Sequence, residues 1–339
     1  MSSAKARAFS GIQPTADSLH IGNYIGALQH FVALQDRFDC VYSVVDLHSL
    51  TVGPAPELIR ERTRRTAAQM LAAGVDPSRS ILFVQSHVPE HAELTWLLSC
   101  VTGFGEASRM TQFKDKAAKR GTESASVGLF TYPILMAADI LVYDAAAVPV
   151  GEDQRQHLEL SRDLALRLNS RYGEGTATVP EPHIVPATAK IYDLQNPGAK
   201  MSKTGSPGGI IELLDDPKVI AKRIKSAVTD NETEVRYDPE RKPGVSNLLV
   251  IYSAMTGRPP QEIALDYEGK GYGHLKVDLA EIVVQRFAPL RQATLEYLDN
   301  PQWLDSILAD GAARAAQIAR GVYRRMADRF GLLPPGGAA

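Results

Sequence analysis

Two textures of apolar and polar positions divide this chain. In the first, short apolar runs of strand length alternate with amphipathic stretches. Arg7-Ala8-Phe9-Ser10-Gly11-Ile12 reads as a strand, which Gly11 and Pro14 break before a polar loop over residues 13–18. From Gly22 the apolar residues Ile25, Leu28 and Val32 recur at intervals of three and four, the spacing of one helix face packed on a core. Val41-Tyr42-Ser43-Val44-Val45 is the next strand, ending in Asp46 and His48. A helix over residues 56–73 leads through Gly74 to Ile81-Leu82-Phe83-Val84, a continuous apolar run that fits a strand buried on both faces. Strand, helix, strand, helix predicts a parallel α/β sheet. Ligands of such sheets sit beyond the carboxyl ends of the strands, where Gln13, His20, Asp46, His48, Gln85 and Ser86 should gather.

From Asp215 the second texture takes over, without strand-like runs of comparable quality. Helices are expected over residues 216–228, over 246–255 with Leu248, Leu249, Tyr252 and Met255 along one face, and over 312–330. Linkers at 239–244 and 257–260 are rich in Pro and Gly. The division is placed at the Lys200 loop, giving an α/β domain over 1–199 and an all-α region over 200–339, whose last helix is expected to pack back on the first domain. No repeat of 20 to 50 residues is visible.

Composition narrows the picture only slightly. The 339 residues allow two domains, and 44% apolar with 22% charged residues is ordinary for a globular protein. No apolar run approaches the roughly 18 residues of a membrane span, and Met1-Ser2-Ser3-Ala4-Lys5-Ala6-Arg7 lacks the apolar stretch of a secretory signal, so a cytoplasmic location without membrane attachment is expected. Cys40 and Cys100 have no Cys or His companions in a metal-binding spacing, so both are expected to be buried small hydrophobes, and no protein metal site is expected. With 37 basic against 39 acidic residues the net charge is −2, so any RNA contact must come from local basic patches.

The chemistry lies in two separated segments. Leu19-His20-Ile21-Gly22-Asn23 sits where a strand-to-loop connection enters a helix, and a helix N-terminus offers N–H groups and partial positive charge to phosphate oxygens. Gly22 lacks a Cβ, so a flat base can lie close to the backbone, while His20 and Asn23 add side-chain donors. Far downstream, Lys200-Met201-Ser202-Lys203-Thr204 is flanked by Asn196-Pro197-Gly198 and Gly205-Ser206-Pro207-Gly208-Gly209, a hinged loop whose ammonium groups can close on polyphosphate. Taken singly, the first segment reads as a surface histidine beside a first-turn Asn, and the second as a solvated linker.

Together, the two segments resemble the paired signatures of class I aminoacyl-tRNA synthetases. Asn23 stands where the first signature has its second His, and Thr204 where the second ends in Ser; both keep hydrogen-bonding capacity. The resemblance narrows through Phe9-Ser10-Gly11-Ile12-Gln13-Pro14, Gly22-Asn23-Tyr24-Ile25-Gly26-Ala27, Met110-Thr111-Gln112-Phe113-Lys114, Thr131-Tyr132-Pro133-Ile134-Leu135-Met136-Ala137-Ala138-Asp139-Ile140, Val150-Gly151-Glu152-Asp153-Gln154 and Tyr267-Glu268-Gly269-Lys270-Gly271-Tyr272-Gly273. These blocks are similar to the bacterial tryptophanyl-tRNA synthetases, from Phe9 to about residue 330. The resemblance implies a Rossmann-like parallel-sheet catalytic domain followed by an all-α C-terminal domain.

It also implies the site. Asp139 would read the indole N–H; on physical grounds a carboxylate inside the apolar run 135–142 needs a donor, and a backbone amide at a helix end is the other candidate. Phe9, Met136, Val148 and Val150 would wall the ring, with His48 at its edge, while Val44 and Val45 fit either the wall or the ordinary core. Burying about 200 Å² of indole at roughly 25 cal/mol per Å² is worth on the order of 5 kcal/mol gross. Tyr132 and Gln154, with Gln112 nearby, match contacts to the amino and carboxylate groups of tryptophan. ATP is assigned to Gln13, His20, Gly22, Asn23, Gly151, Asp153, Lys200, Met201, Ser202 and Lys203, and catalysis to His20, Asn23, Lys116, Lys200 and Lys203. Asp153 would lie on the ribose or ammonium side, or cap the helix expected over 156–168. Mg²⁺ would arrive on the ATP phosphates. The implied partners are tRNA(Trp), L-tryptophan and ATP, with basic residues Lys222, Arg223, Lys225, Arg320, Arg324, Arg325 and Arg329 available for RNA or as a solvated face. A homodimer is implied by resemblance alone. A tyrosine-activating relative and an auxiliary synthetase-like protein that binds tryptophan or adenylate are the alternatives.

Overall fold

A computed structural model describes residues 5–110, 126–151, 154–184, 190–202, 205–206 and 208–334. Five parallel strands form one sheet: β1 (Arg7–Ile12), β2 (Asp39–Val44), β3 (Ile81–Val84), β4 (Ala147–Val150) and β5 (Glu181–Ile184), in the order β3-β2-β1-β4-β5. The chain first winds outward through β2 and β3, then returns to β1 and continues on its other side. The reversal between β1 and β4 opens a crevice at their carboxyl ends, as in Rossmann-like sheets.

The expected strands at 7–12 and 81–84 are found as read. β2 lies two residues earlier than its apolar run suggested and stops at Val44, because Val45 already turns toward the short helix Asp46–Ser49. β4 and β5 gave no clear signal: each is four residues long and contains a proline, Pro149 or Pro182, which reads as punctuation rather than strand.

Alternation along the strands separates two cores. Ala8, Cys40, Tyr42, Val44, Leu82 and Val84 face one side, packed with Ile21, Leu28, Met70, Leu249 and Phe287. Phe9, Val41, Ile81, Phe83 and Val148 face the other, packed with Leu94, Ile140, Leu164 and Ala315. Cys40 is buried as expected; Cys100, at the end of the helix Glu90–Ser99, is exposed, because the chain has left that helix's buried face by the time it reaches it.

The helix entered at Ile21 runs through Ile21–Asn23, a π-helical Tyr24–Leu28 and Gln29–Leu34. Helices Pro56–Ala72, Val127–Leu141 and Arg155–Tyr172 flank the sheet, and Pro217–Lys225, Pro243–Thr256 and Pro260–Leu265 follow it. Two long helices come next, Tyr272–Asp299 and Pro301–Arg329. The first was not foreseen, since Gly273 and Pro289 interrupt its pattern, and the second begins before the expected residue 312. This last helix crosses the sheet at β3. Leu304 and Leu308 join one core, while Ala312, Ala315, Ala319 and Met326 join the other. At the crossing, a Cβ on Gly311 would lie 1.8 Å from the Leu82 carbonyl oxygen. Because strand carbonyls lie in the sheet plane, that approach comes from the sheet's edge. Among the described residues, no helix is long and apolar enough to cross a membrane.

Candidate active site

A cavity of about 400 Å³ opens at the carboxyl ends of β1 and β4, within the range of small-molecule sites. It gathers residues that the sequence scatters: Phe9 and Gln13 from β1 and its loop, Asn23 from the following helix, His48, Tyr132, Met136 and Asp139, Val148 from β4, and Gly151 and Gln154 beyond it. Gln112, Lys116, Asp153 and Lys203 lie outside the described residues, as does the side chain of Val150.

Asp139 forms the floor. It is 1% exposed, and its carboxylate accepts from three side chains: Oδ1 from Gln85 Nε2 at 2.7 Å and His91 Nδ1 at 2.6 Å, and Oδ2 from His48 Nε2 at 2.8 Å. The other ring nitrogen of His91, Nε2, lies 2.8 Å from the Tyr143 hydroxyl, so the ring is held at both ends. Gln85 is fixed at both ends, because its Oε1 accepts from Leu47 N at 3.2 Å. Burial pushes the Asp139 carboxyl up, but the charge and hydrogen bonds of His48 and His91 outweigh it and hold the group well below the ordinary carboxylate range. Among the described residues one donor reaches Oδ2, which leaves that oxygen a lone pair on the wall it shares with Phe9, Met136 and Val148. His48 is therefore less an edge residue than part of the floor.

Tyr132 OH lies 3.0 Å from His157 Nε2, and burial pushes its phenol up to about 12, so it stays a protonated donor near neutrality. Gln154 precedes the helix Arg155–Tyr172, its amide bonded to Gly151 O.

The helix entrance departs from expectation. Ile21 N donates to Ile211 O, and Asn23 N and Tyr24 N both return to His20 O. The first turn is thus partly satisfied within the protein, which shifts the donor role toward Asn23. The Asn23 Oδ1 accepts from His20 N at 3.1 Å, leaving its NH₂ as the donor group. Gly22 is also needed for a different reason than expected: a Cβ there would lie 2.9 Å from the His20 ring, so the ring occupies the space assigned to a base. His20 and Gly22 are not on the cavity wall. Gly26, one turn later, does line it, and a Cβ there meets nothing within 4 Å. This is the open glycine that sequence reasoning missed, although it stands in the same quoted block.

Lys200, Met201 and Ser202 do not line the cavity either. Lys200 and Ser202 are exposed, whereas Met201 is 2% exposed within the core, its amide bonded to Ile191 O. The arm beyond this loop returns to the helix entrance, where Ile21 N bonds Ile211 O and Leu213 N bonds Leu19 O. Two segments far apart in sequence are thereby joined through the backbone.

A family described as tRNA synthetases class I (W and Y) matches residues 1–288. Tryptophan--tRNA ligase 2 of Streptomyces avermitilis is 60% identical over 98% of this chain and 99% of its own length. The chain belongs to the bacterial tryptophanyl-tRNA synthetases. Among solved structures, tryptophanyl-tRNA synthetase from Mycoplasma pneumoniae superposes with a TM-score of 0.88 at 34% identity, covering 97% of this chain and 98% of that one. The Campylobacter jejuni enzyme, complexed with ADP and tryptophan, gives 0.82 at 38% identity, covering 96% and 100%.

In this synthetase the basic residues noted in sequence divide. Arg223 is bonded to Asp215 and Ile210 O, Arg320 to Glu90 at 3.0 Å, and Arg325 to Asp144 at 2.7 Å. Lys218, Lys222 and Lys225 form an exposed cationic face on the helix Pro217–Lys225. Among the described residues, no group of three or more His, Cys, Asp or Glu is placed to hold a metal ion.

Proposed function

We infer that this chain is a tryptophan–tRNA ligase that activates L-tryptophan with ATP and transfers it to tRNA(Trp). The observation that carries the reading is the floor of the cavity: a buried carboxylate locked by Gln85, His48 and His91, with one acceptor position left on Oδ2. An indole N–H is a donor only, and it fits that position with its rings against Phe9, Met136 and Val148. A phenol ring would leave the acceptor and part of the apolar wall unmatched. Tyr132 and Gln154, on the same wall, are assigned to the amino and carboxylate groups.

In the first step a tryptophan carboxylate oxygen attacks the α-phosphorus of ATP. The new bond is carboxyl oxygen to phosphorus; the bond to the β-phosphate bridging oxygen breaks, and its electron pair leaves with pyrophosphate. The carboxylate is already ionised at neutral pH, so the protein needs no base. Its contribution is positioning together with charge stabilisation by Asn23, His20, Lys200 and Lys203, and by Lys116 from the phosphate side. Mg²⁺ enters as part of MgATP. In the second step the terminal ribose hydroxyl of the tRNA attacks the tryptophanyl carbonyl and AMP leaves.

The functional division follows the sequence: residues 1–199 bind and activate, and residues 200–339 carry the loop and the helical region that meets the tRNA, with Lys218, Lys222 and Lys225 as its cationic face. The synthetase acts in the cytoplasm as a homodimer. Phe104, packed on Phe130, and Val127 are exposed apolar residues suited to that contact. ATP–pyrophosphate exchange with each amino acid in turn is the test: tryptophan is expected to support exchange, and exchange driven by tyrosine instead would overturn the reading.

A further inference from the structure

Both arms of the Lys200 loop converge on one buried carboxylate that no part of the mechanism uses. Asp193 is 2% exposed. Its Oδ1 accepts from Gln195 N at 2.8 Å, Asn196 N at 3.0 Å and Ser206 Oγ at 2.6 Å, and its Oδ2 accepts from Ser206 N at 2.9 Å. The first two donors belong to the arm entering the loop, the last two to the arm leaving it. The backbone repeats the closure: Asp193 N bonds Ala199 O, Leu194 N bonds Gly209 O, and Tyr192 bridges Lys200 in antiparallel fashion. Two glycines are required by the carboxylate itself. A Cβ on Gly209 would lie 1.9 Å from Asp193 Oδ1, and one on Gly205 would lie 2.6 Å from Oδ2.

We propose that Asp193 is a positioning residue for adenylate formation, the knot that fixes where the loop presents Lys200 to the ATP phosphates. The proposal rests on the assignment of that loop to ATP. A carboxylate suits the task because it is acceptor-only and takes four hydrogen bonds on two oxygens. Burial pushes its carboxyl up, but the Ser206 hydroxyl and the amides of Gln195, Ser206 and Asn196 bring it below the ordinary range, so it is an anion at neutral pH. An Asn of the same shape would turn an NH₂ group against one of these donors and loosen one arm without opening a cavity.

The experiment measures pyrophosphate-exchange kinetics and tryptophan binding for Asp193→Asn, Ser206→Ala, Lys200→Ala and the double variant Asp193→Asn/Lys200→Ala. Asp193→Asn is expected to lower kcat about 10- to 100-fold, the range for losing hydrogen bonds to a charged acceptor, with tryptophan affinity within about twofold. Ser206→Ala, which removes one hydroxyl donor, is expected to move kcat the same way by about fivefold. If Asp193 acts through Lys200, the double variant falls less than the product of the single losses. Multiplicative losses, or a folded Asp193→Asn enzyme with unchanged kcat, overturn the proposal. If Asp193→Asn fails to fold, an unchanged Ser206→Ala kcat has the same force. A wild-type enzyme that exchanges while Lys200→Ala is unaffected would instead refute the loop assignment beneath it.

Discussion

At the floor of the cavity Asp139 is gripped by three side-chain donors and is 1% exposed, whereas Lys200 stands exposed on a loop held through its backbone and through Asp193. The difference fits the role proposed for each. Reading one N–H against competitors needs an acceptor whose direction is fixed before the ligand arrives, because an acceptor free to turn would serve the wrong ligand as well. Neutralising charge that moves onto pyrophosphate needs a cation that also lets the product go, and a long exposed side chain serves that purpose. Precision is therefore built into the floor at the side chain, and into the loop only at its neck.

The sharpest way to break this comparison is Asp139→Asn. Losing a charged acceptor for the indole N–H should lower kcat/KM for tryptophan about 100-fold, mainly through KM, with KM for ATP nearly unchanged. Exchange kinetics decide it: an equal rise in both KM values would mean that the two ends are not separable. Next in size is His91→Ala, which should cost about 2 kcal/mol of stability by leaving the Tyr143 hydroxyl and one Asp139 lone pair unpaired. Denaturant unfolding measures it, and a loss below about 0.5 kcal/mol would show that His91 is not part of a locked floor.

The smallest expected effect is in pH. Asp139 and Asp193 both have carboxyls held below their ordinary range. Each therefore contributes stability that is fully present above the unfolded carboxylate pKa of about 3.9 and is lost as pH falls through the lower folded value. The stability gap between wild type and either Asn variant should be flat from pH 6 to 8 and shrink below about pH 4. A gap that changes between pH 6 and 8 would implicate a histidine of the floor instead.

The sequence exposed what repeats and hid what is single. β3 was legible because a continuous apolar run of strand length has few other readings, and β1 because Gly11 and Pro14 punctuate its end; β4 and β5 were not, because Pro149 and Pro182 sit inside them. The gathering of Gln13, His48 and Gln85 near the strand ends followed from the pattern, while Phe9, Met136 and Asp139 needed the family resemblance. Tyr143 was passed over, since a buried polar residue within an apolar stretch looks like any other until its partner is known, and His91 because Glu90 and Glu93 around it make the segment look solvent-facing. Asp193 gave no signal as a lone loop aspartate. In retrospect, Gly205 and Gly209 on either side of Ser206 marked the space its carboxylate fills.

The crossing of the last helix over β3 has a consequence in time. A newly made chain has all five strands once Ile184 has emerged, yet the helix that shields the outer edge of β3 begins only at Pro301. An open strand edge is a template for pairing with another chain. During synthesis the sheet is thus complete long before it is protected.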